Sequence, residues 1–269
     1  MVLRSLVAAV LLFMPTVAAQ AQPPSPVPDV AAARSELAPN GRMRVAIAIS
    51  TIGGAYWSTN DGGAPSGVPV DLGRELARRL GVPVDFVAYQ NSGQITDAAA
   101  RREWDVTFVP MDDTRAKLIH FGPVYNAVDA TYIVRAGLDA STAAELDRPG
   151  IMIAAVADTT TMRSAVRSLK NAKVVGYASV DEIVALLGSG KVDAFAGSRS
   201  TLAPLSARLP GTHVLPGSFQ QTRAAIAVPN GRPQAWSYAA AFMTDAMQHG
   251  FLRTALDQHG LREMPIPAP

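Results

Sequence analysis

Beyond residue 42 the chain alternates short apolar runs with stretches whose apolar positions recur every three or four residues. That alternation is the pattern of successive βα units and predicts an α/β fold. Residues 43–49 read as a strand, followed by Gly53-Gly54 and Asp61-Gly62-Gly63, loop signals on either side of Tyr56-Trp57. Leu72, Leu76 and Leu80 then share one helical face, Gly81 stops that helix, and residues 82–87 form a second strand.

A helix over residues 95–102 leads to Asp105 and an apolar strand at 106–109. A related arrangement recurs 88 residues later: a helix over 180–187, opened by Ser179 and Glu182 in capping-box spacing and ended by Gly188, leads to Asp193 and a strand at 194–196. Two similar halves are therefore expected. Extended segments at 131–134 and 222–228 would carry the chain from one half to the other and back, forming a two-stranded hinge. The predicted organisation is a first lobe of residues 41–131 with 225–269, and a second lobe of residues 132–224. Helices over 234–247 and 251–259 would pack on the first.

The N-terminus changes the picture. Arg4, an apolar run over 6–14 and the small-residue site Ala19-Gln20-Ala21 read as a secretory signal covering residues 1–21, which places the working protein in the periplasm. The apolar run is too short to span a bilayer. Residues 22–40, rich in proline and lacking a sustained apolar period, read as a disordered leader.

Composition removes several classes of function. With 24 Lys+Arg against 22 Asp+Glu, scattered along the chain, no basic stripe points to nucleic acid. Cysteine is absent, which excludes disulfides, thiol catalysis and thiolate metal sites. His120, His213, His249 and His259 show no metal-ligand spacing. No nucleophile elbow, zinc-protease helix or dinucleotide fingerprint occurs, and no cofactor is implied. Gly188-Ser189-Gly190-Lys191 lacks the Ser or Thr of a phosphate loop, since Val192 follows, and reads as a helix-ending turn.

The segments WDVTFVPMDDTRAKLIHFGPVY and GVPVDLGRELARRLGVPVDFV, followed by ADTTTMRSAVRSL, SVDEIVALLGSGKVDAFAGS and GFLRTALDQHGL, occur in an order that resembles the family 3 extracellular solute-binding proteins. Those receptors serve ABC importers of amino acids and related compounds. The resemblance covers residues 42–261. It implies a two-lobed periplasmic-binding-protein fold of type II, each lobe a mostly parallel sheet flanked by helices, with a ligand cleft between them. It also implies a monomer that binds a small carboxylate-bearing molecule and presents it to an inner-membrane permease.

Carried over residue by residue, the resemblance makes Arg115 the clamp for the ligand carboxylate. A planar guanidinium suits that task, because it gives two parallel charge-assisted hydrogen bonds. Pairing with neighbouring Asp112 or Asp113 is the alternative. Asp158, Thr159 and Thr160 match the second lobe's helix-opening turn, where free amides and a hydroxyl complete an anion site; ordinary N-capping explains the same residues. Tyr56 or Trp57 would stack on the ligand or else pack beneath the glycine-rich turn. Phe108, Val109 and Pro110 would offer backbone groups, Pro110 only its carbonyl. Gln220 and Gln221 are either polar contacts or exposed loop residues.

Three features depart from the family pattern: a first lobe about two residues shorter before Arg115, Asp112 where a Thr is usual, and Ser198. Ser198 stands where amino-acid receptors carry the aspartate that holds the ligand's ammonium group. A serine cannot neutralise a desolvated cation. Either Asp112 supplies the anion from the opposite wall or the ligand carries no ammonium. Two rivals share the scaffold: a dehydratase-like enzyme, which needs a positioned acid or base, and a receptor that feeds a membrane sensor.

Overall fold

The computed structural model describes residues 29–60 and 63–267. The expected signal at 1–21, the first part of the expected leader, and Asp61 and Gly62 lie outside the described residues. The chain runs through α1 (Val30–Leu37), β1 (Met43–Ile49), β2 (Trp57–Ser58), α2 (Val68–Leu80), β3 (Val84–Tyr89), α3 (Ser92–Ala99), β4 (Val106–Pro110) and α4 (Asp113–Ala116). β5 (Ile119–Val134) carries it into a second set: α5 (Ala143–Leu146), β6 (Met152–Val156), α6 (Thr160–Ser168), β7 (Lys173–Tyr177), α7 (Val180–Gly188), β8 (Ala194–Ser198), α8 (Arg199–Arg208) and β9 (His213–Val214). β10 (Gln220–Pro229) returns, and α9 (Pro233–Gln248) and α10 (Phe251–Gln258) complete the first lobe.

Both lobes hang on the two long strands in the middle. β1 pairs in parallel with β2, β3 and β4, while β6 pairs in parallel with β7 and β8. β10 runs antiparallel to β4 on one side and to β5 on the other. β5 exchanges partners at Ala130, which pairs with both Gln220 of β10 and Ser198 of β8. The crossing is thus built from strands of 16 and 10 residues, longer than the extended segments expected from sequence. Two register shifts against β10 bend β5 between Phe121 and Asn126.

Local chemistry explains most element boundaries. The inner strands β4 and β8 are buried at every position, as expected for strands covered on both faces. α2 has Pro69 in its first turn and ends at Gly81, whose left-handed backbone (φ 72°) directs its amide to the helix's last carbonyls. Val82 then donates to Ala77, and Pro83 has no amide to give, so β3 begins at Val84 instead of residue 82. Ser179 accepts from the Glu182 amide at 3.2 Å, and Glu182 reaches back to the Ala178 amide at 3.0 Å, the reciprocal arrangement that opens α7. The Gly188–Lys191 stretch is the turn that ends this helix, with Gly190 left-handed.

The internal repeat is written in hydrogen bonds. Asp105 accepts from the Arg44 amide at 3.0 Å and pairs with the Arg44 guanidinium; Asp193 accepts from the Met152 amide at 2.9 Å and pairs with Arg135. Each aspartate thereby ties the start of an inner strand to the neighbouring parallel strand of its own lobe.

The leader expectation is corrected in its second half. Asp29 caps α1 by accepting from the amides of Ala31 and Ala32, at 3.0 and 3.1 Å. Ala33 and Leu37, one turn apart, are fully buried. Arg34 donates to the Leu80 carbonyl at 2.7 Å, and the Glu36 carboxylate accepts from the Ala235 amide at 2.8 Å, closing the N-terminus of α9. An eight-residue helix with two buried positions is too short to show as a period in the sequence. No helix among the described residues is long and apolar enough to cross a membrane.

Candidate functional site

The ends of β4 and β8 and the N-termini of α3 and α6 converge where the lobes meet, the position at which open α/β sheets collect ligands. Arg115 lies there on the one-turn helix α4, whose N-cap Asp112 accepts the Arg115 amide at 3.0 Å. The residue is only 1% exposed. Its Nε donates to Thr96 Oγ1 at 3.1 Å. Nη1 donates to the Pro110 carbonyl and to Thr160 Oγ1, both at 2.8 Å. Nη2 donates to Ser92 Oγ at 2.7 Å and to the Asp158 carbonyl at 3.2 Å. Each terminal nitrogen therefore gives one bond within the first lobe and one across the cleft.

Asp112 shares this network. Its Oδ2 accepts from Thr160 Oγ1 at 2.5 Å and from Arg163, and lies 3.3 Å from Arg115 Nη1. Burial pushes the Asp112 carboxyl up, but the Thr160 hydroxyl and the two arginines outweigh it and hold the group below the usual aspartate range. Burial lowers Arg115 to about 10, which leaves it a cation at neutral pH. Of the two neighbouring aspartates, Asp112 makes the ion pair; Asp113 is exposed.

The second-lobe turn divides its labour. Thr159 is the N-cap of α6, accepting from the Met162 amide at 3.1 Å and donating to the Val156 carbonyl at 2.7 Å. Thr160 is the residue whose hydroxyl faces Arg115 and Asp112. Asp158 adopts a left-handed backbone (φ 57°), unusual for a residue with a side chain, and in this conformation its carbonyl meets Arg115.

A cavity of about 30 Å³ remains between the lobes, lined by Tyr56, Trp57, Ser92, Pro110, Thr160 and Ser198 among others. Both aromatics of the first loop line it, where one was expected. The Tyr56 hydroxyl lies beside Ser198 and Thr161 of the opposite lobe, and burial raises its pKa. Ser198 ends β8 with its hydroxyl 2.9 Å from Thr201 Oγ1 and 3.2 Å from Ser200 Oγ. Further bonds cross the cleft rim: the Thr51 amide and Oγ1 to Asp181 at 3.1 and 2.6 Å, Asn91 Nδ2 to the Ala178 carbonyl at 3.0 Å, Arg208 to the Thr51 carbonyl at 3.2 Å, and Thr201 Oγ1 to the Gly53 carbonyl at 3.5 Å.

Some expected contributors lie elsewhere. Phe108 pairs with Ile226 in the sheet, and its ring meets Tyr125 edge-on at 6.0 Å; neither it nor Val109 lines the cavity. An inner strand must spend its backbone groups on the ladder, so only Pro110, at the strand's end, frees a carbonyl for Arg115. Gln220 and Gln221 pair with Ala130 and Asp129 and do not line the cavity. The histidines make contacts outside it: His259 lies 2.7 Å from Asp71, His213 2.8 Å from the Ala140 carbonyl, His249 beside Asp245, and His120 stacks on Trp236.

Sequence reading passed over Ser92, Thr96, Thr161, Arg163 and Thr201. For the first pair a signal existed: Asn91 accepts from the Gln94 amide at 2.9 Å and starts α3 at Ser92, which puts Ser92 and Thr96 one turn apart on the face towards Arg115.

Two lobes on paired crossing strands, with a polar cleft at the strand ends, define a periplasmic-type solute-binding protein. The chain belongs to the bacterial extracellular solute-binding proteins, family 3, whose sequence profile matches residues 45–260. No curated protein matches it significantly. Solved structures with the same fold include the P235GK mutant of ArgBP from T. maritima, 21% identical, TM-score 0.74, covering 84% of this chain and 98% of that one. The amino acid ABC transporter substrate-binding protein AbpA from Streptococcus pneumoniae, bound to L-arginine, is 17% identical at TM-score 0.74, covering 85% and 98%. The ancestral amino acid-binding protein AncCDT-1, a precursor of cyclohexadienyl dehydratase, is 21% identical at TM-score 0.71, covering 83% and 97%.

Proposed function

We propose that this chain is the substrate-binding component of an ABC importer and closes around a small carboxylate-bearing solute, with Arg115 as the clamp. The arrangement of the guanidinium carries this reading. Ser92, Thr96 and the Pro110 carbonyl hold it from the first lobe, while one N–H on each terminal nitrogen points to the second. Those two N–H groups form the fork that a carboxylate engages with both oxygens. When the lobes part, the Thr160 hydroxyl and the Asp158 carbonyl withdraw, and the solute's two oxygens take their places.

The remaining residues support that role. Tyr56 and Trp57 form one wall, the start of α6 offers Thr160 and a helix N-terminus to an anion, and Ser198 closes the far end. In this reading residues 1–21 are removed on export, the mature monomer works in the periplasm, and residues 41–131 with 225–269 rotate against 132–224. Closure is what an inner-membrane permease recognises, so binding and delivery rest on one rearrangement. No His, Glu or unpaired Asp lines the cavity among the described residues, so a binding role is favoured over a dehydratase.

Calorimetry of the mature protein against a panel of amino acids, keto acids and hydroxy acids tests the reading. Arg115→Ala should weaken the best ligand by on the order of 3–5 kcal/mol, as expected when one partner of a buried ion pair is removed. Unchanged affinity refutes the clamp.

A further inference from the structure

We infer that the cleft selects carboxylic acids bearing a hydroxyl or carbonyl group where an amino acid carries its ammonium. The inference rests on the carboxylate reading above and sharpens it to a ligand class.

The lining of the cavity carries the inference. Its polar side chains are neutral: hydroxyls of Tyr56, Ser92, Thr160, Thr161, Ser198 and Thr201 face it, beside the Trp57 indole. Val156, Val180 and Phe195 supply the apolar wall. No carboxylate is present among the described lining residues. An ammonium group enclosed there would lose its water without gaining an anion, the costliest form of burial.

The nearest carboxylates are engaged or turned away. Asp112 has Oδ1 on the Arg115 amide and Oδ2 on Thr160 and Arg163, with Arg115 alongside. Arg115 and Arg163 both converge on this single aspartate, so its charge is already matched within the network. Asp158 does not line the cavity; it borders two outer grooves, one with Met162 and Arg167 and the other with Gly93, Asp97, Arg163 and Arg115 itself. Asp181 accepts from Thr51 at the rim.

A hydroxyl or carbonyl, in contrast, finds partners of the right kind. The hydroxyls of Tyr56, Ser198 and Thr201 each donate or accept by rotation, so a neutral ligand oxygen is satisfied without a counter-charge. The apolar wall would take a short hydrocarbon tail. Discrimination of this kind is strong because the disfavoured ligand leaves a buried polar group unpaired.

Calorimetry on the mature protein with matched pairs decides it: lactate with alanine, 2-hydroxyisovalerate and 2-oxoisovalerate with valine, phenyllactate with phenylalanine. The expected result is that in the best-bound pair the acid without ammonium binds at least ten-fold more tightly. Ser198→Asp, which places a carboxylate beside Tyr56, should shrink or invert that ratio. Should the variant not fold, by circular dichroism, the wild-type ratio still decides. An amino acid that binds equally well or better overturns the inference and leaves the carboxylate reading standing. If no member of any pair binds, that reading and the inference fall together.

Discussion

Gly93 of the first lobe and Asp158 of the second meet so closely that a methyl group on Gly93 would lie 2.5 Å from the Asp158 Cβ. In the proposed hinge motion this contact is made as the lobes close. Gly93→Ala should therefore obstruct closure with little effect on either lobe alone. At least a ten-fold loss of ligand affinity is expected, equal to about 1.4 kcal/mol, with a ligand-free melting temperature close to that of the wild type. Small-angle scattering should show a liganded variant that stays extended.

Thr160 reaches both charges of the cleft, accepting from Arg115 and donating to Asp112. Thr160→Val keeps the shape and removes both bonds. Hydrogen bonds to charged groups are each worth about 1.5–3 kcal/mol. Denaturant unfolding of the ligand-free protein should show a loss of at least that size, and Thr160→Ser should restore most of it.

Acid should loosen the closed form through Asp112. Its folded pKa lies below the unfolded value of about 3.9, so its stabilisation is complete above that value and disappears as pH falls through the folded one. Melting temperature measured from pH 7 down to pH 3 should fall more steeply in the wild type than in Asp112→Asn at the acid end. Parallel curves would remove Asp112 from the explanation.

The rim bond between Thr51 and Asp181 is exposed and should matter little. Asp181→Asn, which keeps an acceptor oxygen for Thr51, is expected to change affinity by less than about 1 kcal/mol. A large effect would move the centre of closure from Arg115 to the rim.

Leu37 is fully buried although it lies in the stretch expected to be a disordered leader. Leu37→Ala should cost about 2–5 kcal/mol in denaturant unfolding, as for other buried leucines. A leader without structure would show no change.

Sequence by itself determined what depends on near neighbours. Apolar runs placed β1, β4 and β8; Gly81, Ser179 and Gly188 placed helix ends, because capping is settled within a few residues. The recurrence of Asp105 at Asp193 announced two like halves, and both aspartates proved to tie parallel strands together in the same way. The start of β3 was misjudged by two residues for an equally local reason, the amide that Val82 gives to the preceding helix.

What only the tertiary structure decided depends on which distant surfaces meet. An eight-residue helix such as α1 earns its place by packing against α9, and eight residues carry too few apolar positions to reveal it. The partners of Arg115 come from α3, the end of β4 and the start of α6, so no spacing along the chain links Ser92, Thr96, Pro110 and Thr160. Hydroxyl residues are frequent and individually uninformative; their convergence with Tyr56 and Ser198 on one small cavity arises from the fold alone. Sequence marked Arg115 as a cation in search of a partner, and the closing of two lobes determined which groups face it.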